Sequence, residues 1–347
     1  MAIEFWRMGA TPVPVTSIAH FAQDLESQGW NGLAIGEAHG LLPDPYTALA
    51  AAAGSTTTLQ LGTAVAVPLR APLLAADAMV SLQALAGGRV RYCVGRGGGG
   101  PKIVPKWPIS VGDFETYLDQ LQQLLRREKV RVFERSISLA SLGVIDPSLD
   151  LPKAALDVAV TGPKTLAIAA RLADGISVST GASTDALAQA AASAREAWSA
   201  AGRDGSHLSL SCFVQVAVVR DDDTSAREAI KGLVLTHAEF ANHSSEGHGA
   251  EDRTGVRTRT RIPREIDVAT DGEPSGGRVD FYPEREDADE LIDRFAIVGS
   301  PEHCAQRLRA VADLGFQRIY IGTRAVGVDL EERNTRGIGL EVLPLLR

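Results

Sequence analysis

The chain has 347 residues, 45% of them hydrophobic and 22% charged, which supplies enough apolar material for a large core and excludes a disordered chain. Its net charge of −8 comes without a long basic run, so it repels a phosphate backbone; nucleic acid is excluded as a partner and a small molecule is expected. No window approaches the roughly 18 apolar residues needed to cross a bilayer, and Met1 to Met8 lacks the charged and apolar segments of a secretory leader, so no membrane contact and a cytoplasmic location are expected.

In chain order, Ile3 to Met8 is a short apolar run suited to a buried strand. Ile18, Phe21, Ala22 and Leu25 then recur at helical spacing before Gly29. Leu33–Ile35 predicts a second strand, followed through Pro43 and Pro45 by an Ala-rich helix around Tyr46–Ala53. Leu59–Val67 is a third strand with a helix over Leu73–Leu85, and Val90–Val94 is a fourth. After a glycine-rich loop, Phe114, Tyr117, Leu118, Leu121 and Leu125 mark a long helix, and Val130–Leu139 reads as a short excursion outside the repeat. Strands at Leu156–Val160, Ile176–Ser179 and Leu208–Val219 each precede a helix, over Lys164–Ala173, Asp185–Ala201 and Ala226 to Phe240, and Arg318–Ile321 is the last strand.

Strand and helix alternating about eight times predict an α/β fold with parallel strands, a (β/α)8 TIM barrel in one domain spanning residues 1–347. Between Asn242 and Pro283 the apolar periodicity stops, marking an inserted loop that reads either as an active-site lid or as linker.

In such a barrel the chemistry sits just past the C-terminal ends of the strands. Thr161, Gly162 and Pro163 place a hydroxyl, a glycine and a proline where a strand becomes a helix, and Ser179, Thr180 and Gly181 repeat the arrangement one strand later. Two adjacent helix N-termini suit one phosphate; ordinary helix capping is the alternative. Arg96 and the glycines Gly97 to Gly100 allow backbone to approach a flat ligand, with Arg96 meeting either an anion or a rim carboxylate. Glu37 and His39 offer a carboxylate and an imidazole on one rim for proton transfer. Trp6, Arg70 and His237 are candidates for the substrate side. Cys93, Cys212 and Cys304 lack CxxC spacing and His237, His243 and His248 lack zinc-enzyme spacing, so reduced thiols and no metal are expected. The absence of a GxSxG elbow and of a P-loop disfavours hydrolase and kinase chemistry.

Several stretches, in order, resemble the luciferase-like flavin and F420 oxidoreductases: Gly29-Trp30-Asn31-Gly32-Leu33 into Gly36-Glu37, Asp44-Pro45-Tyr46, Leu61-Gly62-Thr63-Ala64-Val65, and Gly87-Gly88-Arg89-Val90 into Val94-Gly95-Arg96-Gly97. Thr161-Gly162-Pro163-Lys164-Thr165, Ala173-Asp174-Gly175-Ile176 and Val298-Gly299-Ser300-Pro301-Glu302 leading to Leu314-Gly315 continue the match. The resemblance implies a barrel binding FMN or coenzyme F420, with the phosphate near the fifth and sixth strands and the ring at the mouth against a non-proline cis peptide at Ala64–Val65. Thr63 flanks that bond. It also implies a homodimer. The nearest branch is similar to the methylene-tetrahydromethanopterin-reductase-like group, which implies F420 and hydride transfer, although Ala38 here separates the acid from the histidine that adjoins it in F420 enzymes. The alternatives are an FMN-dependent monooxygenase and a non-catalytic flavin- or F420-binding protein.

Overall fold

The computed structural model describes residues 3–9, 14–38, 42–97, 108–132, 134–141, 150–220, 234, 288–323 and 328–347. Eight parallel strands close into a barrel: β1 (Glu4–Gly9), β2 (Gly32–Ile35), β3 (Gln60–Thr63), β4 (Val90–Val94), β7 (Ala155–Val160), β8 (Gly175–Val178), β9 (Ser209–Val218) and β11 (Arg318–Gly322), with β8 pairing β9 and β11 pairing β1 to complete the ring. The excursion predicted at Val130–Leu139 is an antiparallel pair, β5 (Val130–Val132) and β6 (Arg135–Ile137). Both faces of the barrel strands are covered, which is why they appear in the sequence as continuous apolar runs rather than alternating ones.

Helices α1 (Ile18–Ser27), α2 (Pro45–Ser55), α3 (Pro72–Leu85), α4 (Val111–Leu125), α5 (Pro163–Leu172) and α6 (Thr184–Ala200) follow in turn. The layer between strands and helices holds the main apolar core, built from residues such as Leu25, Leu33, Leu49, Leu61, Met79, Phe114, Leu121 and Ile319.

Four elements absent from the sequence reading follow residue 287: α7 (Ala288–Phe295), β10 (Ala296–Gly299) and α8 (Pro301–Asp313) before the last barrel strand, and α9 (Val328–Gly337) after it. The ten-residue β9 outruns its barrel neighbours, and β10 pairs with its upper half from Gln215 to Val218. Phe295, Ile292 and Ala217 make a small separate core there. Of the helix expected from Ala226 to Phe240, only Val234 is described, and it is helical; the 242–283 insertion lies outside the described residues.

Inside the barrel, polar and apolar layers stack. Toward the N-terminal ends, Asp157 pairs with Arg91 and Arg318, and Arg318 also reaches Glu4. Above them the Trp6 indole meets Tyr320 edge-on at 5.5 Å and Tyr320 stacks on Phe213 at 4.9 Å. Gly32 and Gly62 make room for this indole, since a Cβ on them would fall 2.3 Å and 2.9 Å from Trp6 ring atoms.

Candidate functional site

At the C-terminal ends of the strands the inward residues become small and partly exposed. Met8, Ala64, Val65 and Ala159 are half-buried there, with Gly36 and Gly95 between them. We refer to this half-buried mouth over the packed Trp6 layer as the bowl. One wall carries the cis Ala64–Val65 peptide, at the position expected from the sequence. Backbone bonds hold it on both sides: Ala64 N–H donates to Ile35 O at 3.0 Å, Glu37 N–H to Val65 O at 3.0 Å and Ala66 N–H to Cys93 O at 2.9 Å. The backbone packs tightly around it, since a Cβ at Gly36 would lie 3.2 Å from Ala64 O and one at Gly95 3.1 Å from Val65 Cγ2. Thr63 is fully buried beneath, its hydroxyl donating to Cys93 O at 2.7 Å and accepting from Cys93 N–H.

The two loops read as anion sites leave neighbouring strands, since Val160 and Val178 are register partners in β7 and β8. They differ in what they leave available. Gly162 is the N-cap of α5 with no side-chain cap and no acid in the first turn, and Thr161 and Pro163 are exposed beside it. By contrast Asp44, Ser110 and Ser300 cap α2, α4 and α8 with their side chains. Among the described residues the α5 terminus thus keeps its first-turn N–H groups without a side-chain cap, as the termini of α3 and α6 also do. The second loop is partly committed: Ala182 and Ser183 N–H both donate to Arg294 O, at 3.0 and 3.1 Å, and Ala182 O accepts from Arg307 at 3.0 Å. Gly181, at φ +90°, lies against Arg294 and Phe295, where a side chain would collide with backbone. Asp185 moreover stands in the first turn of α6. What this loop offers is the Thr180 hydroxyl, which is buried with no hydrogen-bond partner among the described residues. The wall made by α7 and β10 was missed in the sequence, although Ser300-Pro301 is a helix-start signal that marks its far end.

The remaining predicted residues divide. Glu37 is 8% exposed; its Oε2 accepts from Val67 N–H at 2.8 Å and its Oε1 pairs with Arg70 Nε at 3.5 Å. Arg70 also pairs with Asp44 and lies over the Tyr46 ring, 4.4 Å from its centroid. Arg96 is half-buried and donates to Ile109 O at 2.8 Å, next to Gly97 at φ +90°. Trp6 is 1% exposed, one layer below the mouth and bonded to Glu4, so the structure does not bring it to the bowl. His39, His237 and Gly98–Gly100 lie outside the described residues. Burial pushes the thiols of Cys93 and Cys304 up to about 12, which leaves them neutral and unreactive.

The closed ring of parallel strands with helices between them defines the class, a (β/α)8-barrel protein, and barrel enzymes carry their chemistry at the C-terminal ends of the strands. The sequence profile described as luciferase-like monooxygenase matches residues 2–318, and the chain belongs to that oxidoreductase family. The 5,10-methylenetetrahydromethanopterin reductase of Methanolobus tindarius is 25% identical over 336 residues, covering 95% of this chain and 96% of that one. The coenzyme F420 dependent tetrahydromethanopterin reductase of Methanopyrus kandleri shares the fold at TM-score 0.68 and 19% identity, with 100% of both chains covered. So does the oxygenating constituent of 3,6-diketocamphane monooxygenase of Pseudomonas putida, solved with FMN, at TM-score 0.67 and 16% identity over 100% of this chain and 99% of that one.

Proposed function

We propose that the protein transfers hydride between coenzyme F420 and a small organic substrate bound over the exposed face of the cofactor ring. The observation that carries the reading is the pairing, on one rim, of a helix N-terminus without a side-chain cap and a buried hydroxyl without a partner among the described residues, next to a bowl of glycines and alanines. A phosphate fits the first and a flat ring the second. Whole-length similarity to the 5,10-methylenetetrahydromethanopterin reductase of Methanolobus tindarius, together with a coenzyme F420 dependent tetrahydromethanopterin reductase among the proteins of the same fold, supports F420 over FMN.

Thr161, Gly162 and Pro163 would hold the phosphate with the Thr180 hydroxyl, flanked by Ser179 and Gly181. Ala64, Val65, Arg96 and Gly97 would frame the ring, with Thr63 supporting them from below. When bound, the deazaflavin supplies or accepts the hydride. The chain's part is to fix the angle at which substrate meets that face and to exclude water. For the accompanying proton the sequence offers Glu37 and His39, and the contacts that occupy both Glu37 oxygens favour His39. Arg70 on the rim and His237 in the segment outside the described residues are the substrate-side candidates.

A second reading, an FMN-dependent monooxygenase, is favoured by the family profile itself. Titrating the purified protein with FMN and with F420, then following F420H2 and FMNH2 oxidation against added acceptors, separates the two. Tight F420 binding with turnover supports the proposal. Binding of FMN alone overturns it, and binding with no turnover on any acceptor favours a carrier or sensor of the cofactor.

A second copy of the chain is the partner proposed for the outer face of α2 and α3. Leu74 and Leu85 are 58% and 63% exposed there, beside Ala51, Gly54, Ala78 and Ser81.

A further inference from the structure

We infer that Glu37 is a positioning residue: with Arg70 it staples the Val65–Val67 backbone that forms the wall of the bowl, and the substrate proton travels by another group. The inference rests on the reading of the bowl as the cofactor site. Its geometry stands without that reading.

Glu37 grips the segment after β3 at two points. Its own N–H donates to Val65 O at 3.0 Å and its Oε2 accepts the Val67 N–H at 2.8 Å, so backbone and side chain bracket three residues. Its Oε1 faces Arg70 Nε, and the Arg70 guanidinium turns from there to the carboxylate of Asp44. Asp44 is committed in turn, accepting from Thr47 N–H at 2.9 Å as the N-cap of α2. Arg70 thereby fixes both ends of the stretch from residue 37 to residue 44 and is itself held over the Tyr46 ring. Tyr46 is anchored by its hydroxyl contact with Tyr92 at 2.6 Å.

This is a poor setting for a proton carrier. A group that gives and takes a proton must exchange its hydrogen-bond partner at each step. Here one oxygen of Glu37 meets a backbone donor and the other a guanidinium, and its side chain is 1% exposed. The same features suit a brace, since a carboxylate fixed by a main-chain N–H and an arginine transmits the position of β2 to the loop after β3 with little play. If the wall carries the ring, a displacement of about 1 Å is enough to lower turnover on the order of a hundred-fold.

The test compares Glu37→Gln, which keeps an acceptor for Val67 N–H, with Glu37→Ala, which removes it, and with Arg70→Lys. Amide hydrogen exchange is read first, on the protein without cofactor. Val67 exchange should quicken by about ten-fold or more in Glu37→Ala and stay within about three-fold of the parent in Glu37→Gln. Cofactor titration and pH–rate profiles follow. Glu37→Ala should weaken binding and shift the bound absorption band, whereas Glu37→Gln should lower turnover by no more than about five-fold and keep the shape of the pH profile. Unchanged Val67 exchange in Glu37→Ala overturns the staple. Loss of turnover by about 10²–10⁴ in Glu37→Gln, with exchange and absorption unaltered, makes Glu37 the proton carrier and overturns the inference. Should the parent bind neither cofactor, the proposed function fails while the Val67 measurement still decides the staple. Should Glu37→Ala fail to fold, Arg70→Lys with quickened exchange at Val67 supports the brace, and unchanged exchange there counts against it.

Discussion

Arg91 and Asp157 meet in a two-pronged pair inside the barrel, Nε to Oδ2 at 2.5 Å and Nη2 to Oδ1 at 2.8 Å. Asp157 is fully buried and also serves Arg318 Nη1 at 3.3 Å, while Arg318 keeps Glu4 as a second partner. Asp157→Asn keeps the volume, takes the carboxylate from Arg91 and leaves Arg318 with Glu4 alone. Removing one partner of a buried ion pair costs about 3–5 kcal/mol. The urea midpoint should fall accordingly with an unchanged slope, and cofactor affinity of the folded fraction should stay at the parent value, since this layer lies on the face that serves stability.

Trp6 and its two glycines form a second dependent set. A methyl at Gly32 would sit 2.3 Å from the Trp6 ring, and one at Gly62 2.9 Å from the ring and 2.5 Å from Arg91 O. Gly32→Ala should destabilise by at least the roughly 1–3 kcal/mol typical of overpacking. Trp6→Leu in that background should recover part of the loss, giving a coupling energy of opposite sign to the two single effects. If the two changes simply add, the indole does not set the need for glycine.

Trp6 also shows where the sequence stops being legible. The barrel strands could be read because residues such as Leu33, Leu61, Val94 and Ile319 cluster into apolar runs, but with both faces buried no alternation marks which side chain points inward. An aromatic near a strand end thus reads equally as substrate contact or as core. Asp157, Arg91 and Arg318 were invisible for the same reason, their pairing being long-range. The adjacency of Thr161 and Ser179 followed from strand order alone. The capture of the Ala182 and Ser183 amides by Arg294 did not, because α7 and β10 come after a long aperiodic stretch that breaks the repeat. Glu37 was found as an ionisable rim residue. Its partners were hidden because Val67 N–H carries no side-chain signature.

Glu26 carries the clearest pH signature. Burial would raise its carboxyl, yet the N–H groups of Thr58, Leu59 and Thr57 and the Thr58 hydroxyl together hold it down to about 2, against an ordinary 4.5. A carboxyl lowered by folding adds stability that is fully present above the unfolded value and is lost as pH falls through the folded one. The stability gap between the parent and Glu26→Gln should therefore be constant above about pH 5 and shrink between about pH 4.5 and 2, as read by urea unfolding at each pH. A gap that widens on acidification would show that the turn before β3 is held by something other than the charge.

The outer face of α2 and α3 gives a test of self-association. Leu74, Ala78, Ser81 and Leu85 lie along one stripe of α3, at helical spacing and with little charge nearby apart from Asp77. Burial already raises the Asp77 carboxyl above its usual range. A face without like charges can pack against its own copy. Leu74→Lys with Leu85→Lys should convert a dimer to monomers in sedimentation or light scattering while leaving the fold intact, because both side chains are exposed within the single chain. A parent protein that is monomeric at tens of micromolar removes the proposal.

Gly162 separates the phosphate reading from ordinary capping. Its φ of −149° is extended backbone that any residue adopts, and a Cβ built there meets nothing within 4 Å, so neither conformation nor crowding among the described residues calls for glycine. An aspartate at this N-cap would accept from the first-turn amides and stabilise the helix by a few tenths of a kcal/mol over glycine. It would also put a carboxylate where the cofactor phosphate is proposed to sit. Gly162→Asp should thus raise the melting temperature slightly and weaken cofactor binding by about ten-fold or more, two effects of opposite direction from one side chain. Fluorescence titration with F420 and FMN beside thermal unfolding reads both. If stability rises and affinity is untouched, the amides of α5 hold no phosphate and the anion end of the site must be sought elsewhere on the rim.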